Sequence, residues 1–142
     1  MKKLLSILLV AVLLITAMPL GAFEFKASAA TSGYYTYSVS NGKATITDCS
    51  TSISGAVTIP STLGRYLVTS IGNAAFYNCE NITSIIIPDS VTSIGSSTFY
   101  NCSILTNIII PNSVTSIGEK TFYLCSGLTS ITIPNGVTCI GN

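Results

Sequence analysis

A mainly β repeat solenoid is the fold class that this chain predicts, from three observations. The pair Ile-Gly recurs at Ile71-Gly72, Ile94-Gly95, Ile117-Gly118 and Ile140-Gly141, 23 residues apart each time. The apolar residues between the pairs recur with it: Phe76, Phe99 and Phe122; Cys79, Cys102 and Cys125; Ile82, Leu105 and Leu128; Ile85, Ile108 and Ile131; Ile87, Ile110 and Ile133; Val91, Val114 and Val137. Before each of Pro88, Pro111 and Pro134 the residues alternate in the period-2 manner of a strand. Self-similarity at a fixed period of this length marks stacked repeats, which offer a surface where a globular enzyme offers a cleft.

Residues 1–29 read as an export signal to be removed. Lys2 and Lys3 supply a positive start, Leu4 to Ala17 an uncharged apolar run, and Ala27-Ser28-Ala29 a cleavage site, with the cut after Ala29. The competing reading is an uncleaved membrane anchor, because no charge lies between Lys3 and Glu24 and about 20 apolar residues span a bilayer. Pro19 and Gly21 interrupt that run.

Residues 30–55 predict an N-terminal β-hairpin cap. Tyr35, Tyr37 and Val39 alternate with polar residues, Asn41-Gly42 supplies a type I′ turn, and Ala44 and Ile46 alternate again. A solenoid end exposes unpaired backbone and a slice of core, which such a hairpin would cover.

The solenoid itself is expected over 56–142. Its first unit opens with Val57-Thr58-Ile59-Pro60 and carries five extra residues within Ser61 to Leu67, so Gly64-Arg65-Tyr66 reads as an edge loop. In a regular coil, one short strand points Ile85 and Ile87 inward and Ser84 and Ile86 outward. Pro88 ends that strand by removing a ladder donor, and Val91 and Ile94 return the chain to the core before Gly95 permits a turn. Phe99 and Cys102, three apart, suit a turn or short helical segment on the opposite side. Ordering 23 residues costs more than one coil's apolar side chains return, so a coil needs its neighbours. The sequence stops at Asn142, nine residues into a coil, which reads as a fragment of a longer protein.

The frame Leu-x-x-Ile-x-Ile-Pro-x-x-Val-x-x-Ile-Gly-x-x-x-Phe-x-x-Cys, in Leu105 to Cys125, resembles the BspA-type leucine-rich repeats of bacterial surface proteins. Tyr37 to Thr47 is similar to that family's usual N-terminal unit. The resemblance implies leucine-rich-repeat-like coils in a secreted or cell-surface protein, with adhesion or protein binding as its work and host matrix or surface proteins among its partners. Asp48-Cys49 departs from the family's Gly-aromatic step at the end of the hairpin.

Composition narrows the function further. From Ala30 on, Lys43, Arg65 and Lys120 face Asp48, Glu80, Asp89 and Glu119, one net negative charge. Such a surface has no field to gather nucleic acid or anionic lipid. The chain has no histidine, its acids are scattered, and its many Ser and Thr have no base to activate them, so no enzyme activity and no cofactor are expected. Without histidine or a CxxC pair, a zinc site is not expected either. Cys79, Cys102 and Cys125 read as small buried hydrophobes in a reduced core ladder, although stacked coils bring equivalent positions within reach of one cross-coil disulfide. Cys139 replaces the Ser of Ser70, Ser93 and Ser116 at a surface position.

Two ladders are candidate binding surfaces. Ser84, Asn107 and Ser130 form one outward row of the strand face and Ile86, Ile109 and Thr132 the next, an apolar stripe with polar neighbours that either marks an interaction surface or reflects strand preference alone. Tyr77, Tyr100 and Tyr123 form the second ladder, either packed over the turn side or exposed as stacking platforms for glycans or proteins.

Overall fold

The computed structural model describes residues 29–141; the export signal lies outside them apart from Ala29, which opens the first strand. Eleven strands follow among the described residues: β1 (Ala29–Ser32), β2 (Tyr35–Ser40), β3 (Lys43–Cys49), β4 (Gly55–Thr58), β5 (Thr62–Leu63), β6 (Tyr66–Ile71), β7 (Ile82–Ile86), β8 (Ser93–Ile94), β9 (Asn107–Ile109), β10 (Ser116–Ile117) and β11 (Cys139–Ile140). They form two sheets. The larger runs β1-β2-β3-β6-β8-β10-β11, with β5 beside β6, and the smaller runs β4-β7-β9.

The hairpin forms as the Asn41-Gly42 turn requires. Both turn residues have positive φ, 50° and 73°, the backbone that a type I′ turn needs and that Asn and Gly tolerate. β1 adds a third antiparallel strand on β2, and β3 turns from antiparallel pairing with β2 to parallel pairing with β6. The hairpin therefore continues the solenoid's own sheet. Ile46 lies opposite Ile71, which lies opposite Ile94, and so on through Ile117 to Ile140. The edge loop of the first unit is a tight antiparallel pair, β5 with β6, turning at Gly64 and burying Leu63.

One strand per coil is an underestimate. The return segment of each coil, Ser93–Ile94 and its equivalents, pairs in parallel with its neighbours and makes a second short strand. Its apolar residues stand three apart, as at Val91 and Ile94, so a period-2 search passes over it. The backbone ladder is plain in the structure: Gly72 N–H donates to Ile46 (2.7 Å), Gly95 to Ile71 (2.8 Å), Gly118 to Ile94 (2.9 Å) and Gly141 to Ile117 (2.9 Å).

The opposite side is built of turns, with no helix among the described residues. Ala74, Asn78, Ser97, Asn101, Lys120 and Leu124 all have φ between 53° and 59°, so the i, i+3 spacing of Phe and Cys comes from left-handed turns instead of a 3₁₀ segment. These turns also bond from coil to coil. Phe76 N–H donates to Thr98 and Phe99 N–H to Thr121, both at 2.9 Å.

Glycine at the Ile-Gly step serves close approach, and its φ is not positive at Gly95. A Cβ on Gly95 would sit 2.5 Å from the Asn73 nitrogen and 2.6 Å from the Gly72 carbonyl carbon. On Gly118 it would collide with the backbone of Ser96 and Gly95. Only hydrogen fits where one coil's backbone lies on the next.

The core is one column. Phe76, Phe99 and Phe122 pack ring on ring at 5.3 and 5.8 Å, with Tyr35 of the hairpin edge-on to Phe76 at 6.2 Å. Two buried hydroxyls within it are satisfied. Thr98 donates to the Gly95 carbonyl (2.6 Å), with that of Gly72 as second acceptor (3.0 Å), and Thr121 repeats this with Gly118 and Gly95.

Leu124 stands where the earlier coils have Asn78 and Asn101, with φ 59°. Left-handed backbone costs a branched side chain roughly 1–2 kcal/mol, whereas asparagine adopts it readily. Leu124→Asn should therefore raise stability by up to about 1 kcal/mol in urea denaturation; a loss of stability would show that the leucine packs usefully there.

Candidate functional site

The outward face of the β4-β7-β9 sheet is fixed by its register. Ala56, Ser84 and Asn107 are lateral neighbours, and so are Thr58, Ile86 and Ile109. Because Ile85 and Ile108 are buried, the residues on either side of them must point out. Ile86 is 44 % exposed and Ile109 50 %. Asn107 is exposed and Ser84 half-buried. In the next coil Ser130 and Thr132 are exposed as expected, but they lie outside any strand, and Ile131 and Ile133 beside them are half-buried. The paired face thus holds four of the six residues anticipated for it, and the other two extend it as exposed coil.

The row Thr58-Ile86-Ile109 carries no charge. Its apolar part suits a partner's apolar side chain, and the hydroxyl and amide groups of Ser84 and Asn107 beside it can accept or donate hydrogen bonds. Covering two half-exposed isoleucines contributes on the order of 2 kcal/mol, enough to anchor a contact and too little to make one alone.

The tyrosine ladder forms, with a geometry that limits its use. Tyr77 and Tyr123 are exposed, and the rings stack at 4.8 Å and 14° (Tyr77 on Tyr100) and at 5.2 Å and 29° (Tyr100 on Tyr123). Each ring spends a face on its neighbour. A sugar needs an open aromatic face, and Tyr100 has none, so the ladder presents ring edges and hydroxyls along its length. Beside it, Asn101 Nδ2 donates to Asn78 Oδ1 (3.1 Å) and to Glu80 Oε1 (2.8 Å), tying successive coils together.

The cysteines divide as their positions imply: Cys79, Cys102 and Cys125 are buried, Cys139 is exposed, and all are unbridged. Cys49, where the chain departs from the Gly-aromatic step, is buried as well. Its amide donates to the Asp48 carboxylate (2.9 Å), closing the end of the hairpin locally. Cys102 and Cys125 donate their thiol protons to the carbonyls of Phe76 (3.3 Å) and Phe99 (3.0 Å) one coil back. Burial, with neighbouring Cys125 and Cys79, pushes the Cys102 thiol up to about 12. At the last described coil a shallow apolar depression of about 290 Å³ is lined by Ile117, Phe122, Ile133 and Ile140 among others.

The inter-coil hydroxyls escaped the sequence reading, although Thr98 and Thr121 recur just before Phe and could have been noticed. Ala75 at the equivalent place in the first coil breaks that pattern.

A match across residues 48–142 to the BspA type leucine rich repeat region, in six copies, agrees with this geometry. The chain belongs to the BspA-type leucine-rich repeat family. Solved structures agree in fold. A leucine-rich repeat protein from Bacteroides capillosus is 34 % identical, with a TM-score of 0.74 over 81 % of this chain and 88 % of that one. A leucine rich cell surface protein from Faecalibacterium prausnitzii is 39 % identical, TM-score 0.69, over 80 % of this chain and 32 % of that one. The T. pallidum leucine rich repeat protein is 26 % identical, TM-score 0.73, over 80 % and 54 %. This BspA-type chain thus spans about half of the T. pallidum protein and a third of the F. prausnitzii one. No curated protein matches it. The repeat class suggests a protein-interaction module.

Alkaline titration tests the buried column. Burial pushes Tyr35, like Cys102, up to about 12, from ordinary values of 10.0 and 9.0 respectively. Protons held more tightly in the folded state stabilise it fully below the ordinary values, and this contribution is lost as pH rises from there through about 12. The melting temperature should therefore fall steadily above about pH 9 and less steeply in Cys102→Ala. A flat profile to pH 11 would mean that these groups are open to water.

Proposed function

We propose that the chain is an exported, cell-surface or secreted module that binds a partner protein, without catalysis, through the outward face of the β4-β7-β9 sheet. The observation that carries this reading is the uncharged Ile86-Ile109 row, held at fixed spacing on a rigid sheet and left open to solvent. Rigid sheet side chains lose little freedom on binding, so even a modest apolar stripe can act as an anchor. Export is supported by Lys2, Lys3 and the apolar run before Ala27-Ser28-Ala29, and by the cell-surface description of the F. prausnitzii relative. The lack of any histidine supports a non-catalytic role. Adhesion to host matrix or surface proteins is the form this binding takes in our reading.

A second reading, a spacer region within a longer secreted enzyme, draws on the relatives' greater length. Glycan binding is the least supported, because the stacked tyrosines leave few faces free.

The test is binding of the folded chain to a panel of purified matrix proteins, measured by biolayer interferometry. A saturable partner is expected, with affinity falling at least about tenfold in Ile86→Lys/Ile109→Lys as an anchor is lost. Each exposed substitution should change stability by no more than about 0.5 kcal/mol. Unchanged binding by that variant would move the site elsewhere, and silence across the panel would favour the spacer.

A further inference from the structure

The insertion in the first unit carries a cation at its tip. Thr62–Leu63 folds back on β6 through Gly64, whose φ of 60° lets the chain reverse tightly, and Arg65 stands exposed at that reversal. Its guanidinium lies over the Tyr66 ring, 5.3 Å from the centroid, and donates to the Tyr66 hydroxyl at 3.2 Å. These contacts hold the fork in place and leave most of its N–H donors open to a ligand.

A second cation comes from the hairpin. Register sets Ser40, Lys43, Leu67 and Thr62 side by side across β2, β3, β6 and β5. Ala44, Val68 and Leu63, next to them along their strands, are buried, so this row points outward, and all four of its residues are exposed. Leu67 is the row's large apolar member, 45 % exposed. Strand spacing puts the Cα atoms of Lys43 and Arg65 about 8–10 Å apart, about one Debye length at physiological salt. One ligand therefore feels both charges. Among the described residues neither makes an ion pair: Arg65 bonds to Tyr66, and Lys43 stands exposed. Asp48 is toward the far end of β3, about 17 Å along the strand from Lys43. Glu80, Asp89 and Glu119 belong to later coils.

We propose that Arg65, Tyr66, Leu67 and Lys43 form a docking site for an acidic segment of a partner protein, separate from the β4-β7-β9 face. Alternate residues of an extended segment stand about 7 Å apart on one side, so two carboxylates at that spacing reach both cations. Arg65 takes one as a bidentate pair and Lys43 takes the other as a point charge. An apolar side chain of the same partner covers Leu67. A nucleic acid or a sulfated polymer gains much of its affinity from a longer basic stripe than two cations, and it gains nothing from an exposed leucine. Insertions are also where a repeat stack adds contacts without disturbing its ladder. Arginine and tyrosine together at such a tip are the residue types that carry most binding energy at protein interfaces.

The test is a titration of the isotope-labelled full chain, followed amide by amide in NMR spectra. One synthetic peptide carries glutamates at alternate positions beside a leucine, a second has glutamines in their place, and inorganic sulfate is the third probe. The acidic peptide is expected to shift the amides of Lys43 and of Thr62 through Leu67. Its affinity should fall at least about fivefold in Arg65→Ala, fall less in Arg65→Lys, and weaken as salt rises. Both variants should melt with the parent, because the side chain is exposed. Equal binding of the glutamine peptide, shifts elsewhere, or no shifts at all would overturn the proposal. So would sulfate acting as strongly as the acidic peptide, which would make the corner a general anion site. Each of these results leaves the Ile86-Ile109 row to its own test, because that row lies on the other sheet.

Discussion

Each coil passes its backbone hydrogen bonds to the next, and the rest of the molecule depends on that handover. The amides of Gly72, Gly95, Gly118 and Gly141 reach back to isoleucine carbonyls one coil earlier, while the amides of Phe76 and Phe99 reach forward to the threonines of the following coil. A buried amide left unpaired costs about 1–3 kcal/mol, so an insertion within a regular coil would misalign many partners together. The five extra residues of the first unit are accommodated because Thr62–Leu63 folds back as β5 on the start of β6, which keeps its place in the ladder beside β3.

Side chains reinforce the same constraint from both sides of the backbone. Inside, Cys102 and Cys125 spend their thiol hydrogens on carbonyls one coil back, and Thr98 and Thr121 share theirs between a carbonyl of their own coil and one of the coil before. Outside, Thr92, Thr115 and Thr138 each donate to the threonine carbonyl one coil back. A core of isoleucine and phenylalanine gives the stack cohesion without direction, and these directional bonds hold the rotation between coils. Ile86 and Ile109 stand in line as a consequence, and the row of the proposed binding face inherits its spacing from the ladder.

Much of this was legible in the sequence because the core repeats with it. The seven recurring apolar positions gave the coil length and the inward residues, and Asn41-Gly42 gave the hairpin turn, since burial and positive φ constrain residue type at single positions. The second strand at Ser93–Ile94 was not legible: a two-residue strand has no alternation, and its partner lies 23 residues away. The left-handed turns were hidden for a related reason. Ala74, Ser97 and Lys120 share one backbone conformation without sharing a side-chain chemistry, so only Asn78 and Asn101 hinted at it. On the candidate face, outward direction followed from the strand pattern. The loss of pairing at Ser130 and Thr132 did not, because it depends on what lies beside that segment, and the stacking of the tyrosines depends on ring orientation that spacing does not set.

Hydrogen exchange resolved to single amides tests the stack most directly. If the ladder holds the coils, Gly95 and Phe99 in the middle will be the best protected, Gly72 and Gly118 will follow, and protection will decline coil by coil toward the ends. Strong protection confined to the hairpin amides, with Gly95 and Phe99 exchanging as freely as an unstructured chain, would contradict the account, because the hairpin would then be the only stable element.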